Sequence, residues 1–119
     1  MRSAFAHDAV LTLDDDGDDR APGGAITVAL CGSWSHDPPC PLAPHHTHAE
    51  RSGEHVVLRI LFAAEPEQAP DIRSRIESAL ASGRFRGPDG VVTRWTLVGS
   101  GSGSVRADEV AHARRLVDE

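Results

Sequence analysis

Between positions 31 and 48 the chain gathers two cysteines and four histidines, Cys31, His36, Cys40, His45, His46 and His48, out of two cysteines and seven histidines in all. Thiolates and imidazoles are the soft and borderline donors that hold zinc, and a site needs four of them, or three and an open position. The spacing Cys31-x4-His36-x3-Cys40-x4-His45 supplies four. His46 and His48 are alternative ligands, and His55, at the start of the next apolar run, returns to the same neighbourhood. The expected cofactor is zinc, with copper or nickel as alternatives because N/S sites generally prefer Cu(II) and cells choose by availability.

The same segment holds Pro38, Pro39, Pro41 and Pro44. Each fixes φ and removes a donor, so a stiff loop is expected there, neither helix nor inner strand, and a stiff loop loses less entropy when its ligands converge. Trp34 would shield such a site and Asp37 would accept from an imidazole N–H. The spacing resembles that of zinc knuckles in outline, without their short Cys-x2-Cys pair, and nothing of that family's function follows. Four filled positions imply a structural or regulatory ion; three ligands and a water imply hydrolysis, for which Asp37, Glu50 or Glu54 would serve as base. A thiol enzyme built on Cys40 with His36 or His45 is a further alternative.

The elements that must position these residues follow from hydropathy patterning. Ala9–Leu13 reads as a short edge strand, and the segment from Asp14 through Gly24 as a charged, flexible loop. Ala25–Cys31 alternates, with Ile26, Val28 and Leu30 on one face, and predicts a strand ending near Cys31. His55–Ala64 predicts a central strand, with Val56, Leu58, Ile60 and Phe62 on one face and Val57, Arg59, Leu61 and Ala63 on the other. Pro70 opens a helix carrying Ile72, Ile76, Ala79 and Leu80 and stopped by Gly83. After a turn at Gly87–Gly90, Val91–Val98 predicts a strand; Gly99–Ser104 reads as a flexible connector, with a minor reading as a phosphate-binding turn. A last helix spans about Arg106 to Val117, with Val110, Ala113, Leu116 and Val117 on one side. The expected fold is therefore two-layer α+β: a mostly antiparallel sheet of three or four strands with both helices packed on one face, as a single domain over 1–119. The order of elements resembles a rearranged ferredoxin-like layout by topology alone.

Composition narrows the partners. The 119 residues carry a net charge of −6, with all strong cations arginine, which argues against nucleic acid because phosphate binding needs a concentrated basic surface. The acidic run Asp14-Asp15-Asp16-Gly17-Asp18-Asp19 fails as a calcium loop, since Gly23 falls where a bidentate Glu is required. Arg84 and Arg86 flank Phe85 as a small basic and aromatic patch, read as solvated. No stretch has the length of a membrane span or the apolar core of a signal peptide, so a cytoplasmic setting is expected, in which two cysteines serve as thiols or metal ligands. Taken together, the sequence predicts a small metal-binding module that acts by binding another protein, with a homodimer through an edge strand as one arrangement. The alternatives are a metal-dependent or thiol enzyme subunit, a copper or nickel chaperone or sensor, and a metal-free dimeric adaptor.

Overall fold

The computed structural model describes residues 1–14, 16–31 and 43–118, the Cys31 side chain excepted. The elements run β1 (Ser3–Leu13), α1 (Ala21–Cys31), β2 (His45–Ser52), β3 (His55–Ala64), α2 (Ala69–Ala81), β4 (Arg84–Arg86), β5 (Val92–Gly103) and α3 (Val110–Asp118). Single 3-10 turns at Pro66–Gln68 and Ala107–Glu109 lead into α2 and α3. All strand pairings are antiparallel, in the order β2-β3-β1-β5-β4. Without the three-residue β4, this is the split βαβ layout of ferredoxin-like folds.

The α+β class and the antiparallel sheet agree with the expectation, but the described residues form five strands rather than three or four, and three helices rather than two. The additional helix is α1. Its residues 25–31 were expected as a strand because Ile26, Val28 and Leu30 alternate, yet Ile26 and Leu30 are also four apart and both are wholly buried. A short apolar run satisfies either period. The deciding residue is Pro22, read as part of a loop: in a first helical turn its preset φ helps and its missing N–H has no partner to lose. Residues 21–24 therefore begin the helix, and Cys31 ends a helix rather than a strand.

β3 is an inner strand as expected, with its two faces divided as the alternation predicts. Val56, Leu58, Ile60 and Phe62 join the main core with Leu11, Leu13, Ile26, Leu30, Ile72, Ile76, Leu80 and Trp95. Each such aliphatic side chain contributes roughly 1.5–3 kcal/mol on burial. The helix α2 presents Ala69, Ile72, Ile76 and Leu80 to that core at helical spacing. It ends at Gly83, as expected, because φ there is +71° and a Cβ would approach the Trp95 carbonyl to 2.9 Å. Trp95 Nε1 donates to the Leu80 carbonyl at 2.8 Å, tying the end of α2 to β5.

Three further expectations are corrected. Ala9–Leu13 is part of an eleven-residue strand, β1, which is central and lies between β3 and β5. Gly99–Gly103 is not a flexible connector but the second half of β5, paired with β1 from Ala6 to Val10. The two helices near Ile76 and Leu116 do not share a face: α1 and α2 pack on the main core, whereas Leu116 of α3 packs with Ala6, Leu61 and Ala63 on the opposite side. β3 is apolar on both faces over 60–64, which is what a strand covered from both sides requires.

One polar group is buried beneath α2. His7 has no exposure, and Arg73 Nη1 lies 3.0 Å from its Nδ1 and donates to the Ala6 carbonyl at 2.7 Å. With Arg73 as donor, the imidazole hydrogen sits on Nε2, which faces Glu77 Oε1 at 3.6 Å and has no hydrogen-bond partner. The Arg73 guanidinium also covers the stacked rings of Phe5 and Phe62. Burial, with the Arg73 charge second, lowers the His7 pKa.

Candidate metal centre on the α3 face

Pro44 is followed at once by β2, so His45, His46 and His48 stand on a strand and not in the stiff loop expected for them. Successive strand residues point to opposite faces. His45 therefore lies on the side of α1, where its Nε2 is 3.0 Å from Thr27 Oγ1 and its Nδ1 3.1 Å from the Ala43 carbonyl. His46 and His48 lie on the other side, the side of α3. One ion cannot take His45 together with His46 and His48 without breaking the strand. His36 and Cys40 lie outside the described residues, as does the Cys31 side chain.

Register builds the α3 side row by row. One row reads His48, Arg59, Asp8, Gly101, and the next reads His46, Leu61, Ala6, Gly103. Above them α3 and its leading turn supply Glu109, His112 and Leu116, spaced three and four apart and so on one helical face. Glu109 grips Arg59 with both oxygens, at 2.8 Å to Nη2 and 3.1 Å to Nε, while Arg59 Nη1 donates to Asp8 at 2.9 Å. Arg59 Nη2 also donates to the Ser104 carbonyl, and Glu109 Oε1 accepts from the Arg106 amide at 2.8 Å. These charge-assisted bonds hold the Glu109 carboxyl down to about 2 and raise the Arg59 pKa further.

One turn beyond Glu109, the His112 ring meets the His46 ring at a centroid distance of 4.4 Å and a tilt of 55°. His48 stands two residues along the same strand face, its Nε2 at 3.5 Å from Glu50 Oε1. Partial burial, then the charges of His112 and His48, lowers the His46 pKa and so favours the neutral, lone-pair-bearing imidazole. The three rings border an open groove of about 320 Å³ that Asp8, Glu50, Val57, Arg59, Arg106, Asp108 and Glu109 complete. Among the described residues no three His, Cys, Asp or Glu side chains converge on a single point. The donors nonetheless suit a borderline ion, since neutral imidazole is the common nitrogen ligand of zinc, copper and nickel.

No family model matches the chain, and no curated protein does. Of the residues singled out from sequence, His46 and His48 are brought together, His45 is turned to the opposite face, and His55 lies at the far end of β3, paired with Ser52. Sequence reasoning did not select His112, Arg59 or Glu109. The signal that finds His112 is its helical spacing from Glu109 and Leu116, and the signal for His46 with His48 is their i, i+2 spacing on a strand.

Proposed function

We propose that this chain is a small metal-binding module whose ligands are His46, His48 and His112, with zinc the first choice of ion and copper or nickel the alternatives. The observation that carries the reading is the pairing of His46 and His112 from two different elements, with His48 on the same strand face. His48 and Glu50 line the same groove and stand 3.5 Å apart, as a further nitrogen and an oxygen donor for it. Three imidazoles supplied by the protein form a usual shell for Zn²⁺, completed by water or a carboxylate. Arg59, Asp8 and Glu109 fix the sheet and helix on either side of the ligands, the supporting role that outer groups have at metal centres.

The role that suits such a site is regulatory binding to another protein rather than catalysis. The groove is open to solvent, and two of its carboxylates, Asp8 and Glu109, are already committed to Arg59. A reducing, cytoplasmic compartment would keep the two cysteines as thiols. A second reading places the ion on the α1 side with Cys31, His36, Cys40 and His45; the closeness of His45 to α1, through Thr27, favours it.

Elemental analysis and zinc titration of the tag-free protein distinguish the two. The proposal expects close to one ion per chain, retained in a Cys31→Ser, Cys40→Ser variant and lost in His46→Ala or His112→Ala. Metal that follows the cysteines instead would transfer the site to the α1 side. No metal after zinc addition would remove both.

A further inference from the structure

We infer that the chain forms a twofold dimer in which the open edge of β5 pairs with the same edge of a second copy. The backbone of that edge makes the contact, and no metal ion takes part in it.

β5 is twelve residues long, and only its first part is covered on the side away from β1. There β4 pairs with Val92, Thr93 and Arg94, and the Trp95 N–H donates to the Gly83 carbonyl at 2.9 Å. Among the described residues, none bonds to that edge beyond Trp95. Backbone groups of an antiparallel strand point alternately to its two sides, and the register shift opposite Val10 and Leu11 inserts Val98 as an extra residue. Counted from Trp95 across this bulge, Leu97, Ser100 and Ser102 turn their N–H and C=O groups outward. Ser100 and Ser102 are exposed, as is Val98 beside them.

Edge strands are ordinarily guarded against chance pairing by charge or proline. The two outermost strands here are guarded in that way: β2 carries Glu50 and Arg51, and β4 carries Arg84 and Arg86. From Trp95 to Val105 the chain has neither a charge nor a proline. The bulge at Val98 interrupts the edge, so the pairing begins past it, at Gly99.

Two properties select a second copy as the occupant. At a net charge of −6 the copies repel each other, and their approach is least opposed through a surface without charge. A foreign strand added to a sheet edge is recognised through pockets for its side chains, which Gly99, Gly101 and Gly103 do little to form, whereas this edge matches itself about a twofold axis. With the axis at Gly101, Ser100 of each copy lies opposite Ser102 of the other, and the two exchange N–H···O bonds. The two Gly101 residues then form the closer kind of pair, with Cα atoms about 4.5 Å apart. α3 packs on Ala6, Leu61 and Ala63, over β1 and β3, and stands clear of the approach. So short a pairing buries less than the roughly 1,600 Å² of a standard interface, which makes the dimer weak and dependent on concentration.

Light scattering of the tag-free chain in the presence of a chelator, from low micromolar to near-millimolar concentration, tests the dimer. The expected result is a monomer–dimer equilibrium that is roughly tenfold weaker in a Ser100→Lys, Ser102→Lys variant, because like charges then stand opposite one another. That variant has a smaller net charge than the wild type, so general repulsion cannot account for its loss. Ser52→Lys, on the edge strand β2, is expected to dimerise as the wild type does. Amide exchange of the wild-type chain gives a second readout should the lysine variant fail to fold: Ser100 and Ser102 are expected to exchange roughly tenfold more slowly at high concentration than at low. A monomer throughout, growth beyond the dimer, a dimer undiminished in the folded lysine variant, or exchange at Ser100 and Ser102 that ignores concentration overturns the inference. A dimer that forms with zinc and not with chelator overturns it as well and leaves the metal site standing.

Discussion

Gly103 shows how a single missing side chain permits the charged centre. A Cβ at this position would run into Asp8 Oδ2 and lie 2.7 Å from Arg59 Nη1, both of them locked in the ion-pair network. Gly103→Ala is expected to destabilise the protein by about 1–3 kcal/mol, the usual effect of overpacking. Gly101→Ala, with nothing within 4 Å, is expected to be neutral or stabilising by up to about 1 kcal/mol. Chemical denaturation of the two variants side by side checks this. The Gly/Ser run was legible as composition and not as function, since glycine is depleted in strands and the need for it at Gly103 arises from Asp8 and Arg59, both distant in sequence. At His7 the lowered pKa means that the unfolded chain binds protons more readily than the folded one below pH 6.5. Stability is thus complete above 6.5 and falls as the pH drops toward the lowered folded value. His46 acts in the same direction. Thermal melts between pH 7.5 and 5 should show this fall, and a His7→Gln, His46→Gln variant should show a flatter profile from a lower starting stability.

Among the elements, α2 and β3 were readable because their patterns are long and fit one period. α1 was not, because its apolar run is short and buried on several sides, so the alternation carried no information about its period. The histidines of β2 were grouped with the cysteines by nearness in sequence, whereas Pro44 marks the point where a strand begins and alternation takes over. That alternation separates His45 from His46 and His48, and no composition argument would reveal it. For α3 the informative residues were Glu109, His112 and Leu116, whose spacing is helical but whose types are mixed, so an apolar stripe was read instead. Glu109→Gln should weaken the entry of α3 by roughly 2 kcal/mol, the scale of hydrogen bonds to a charged group. Acid should act similarly: with a folded pKa of about 2 against an ordinary 4.5, the contribution of Glu109 is present above 4.5 and disappears as the pH falls toward 2. Amide exchange in α3 measured at pH 5 and pH 3 should therefore differ in the wild-type chain beyond the intrinsic rate change, and not in Glu109→Gln.

For the molecule as a whole, the α+β class and the antiparallel sheet followed from strand and helix patterns, while the second covered face did not, because Val57 and Arg59 mark that side of β3 as half-solvated and only Leu61 and Ala63 lie under α3. Among the described residues no helix is long and apolar enough to cross a membrane. If zinc binds the native state and not the unfolded one, free zinc at about a hundredfold over its dissociation constant should add about 2.7 kcal/mol to the unfolding free energy. For a chain of this size that is roughly 10 °C in Tm, readable by calorimetry and absent in His46→Ala.

The central place of β1 bears on how the protein comes to exist. β1 pairs on one side with β3, from Ser3 with Ala64 to Thr12 with His55, and on the other with β5, from Ala6 with Gly103 to Leu13 with Trp95. During synthesis it leaves the ribosome before either neighbour, and its second edge stays bare until β5 has been made. Pairings so distant along the chain fold slowly and leave an apolar strand open to chance association meanwhile. A chain cut before Gly103 would leave that edge of β1 permanently bare, and is expected to aggregate where the full chain stays dispersed.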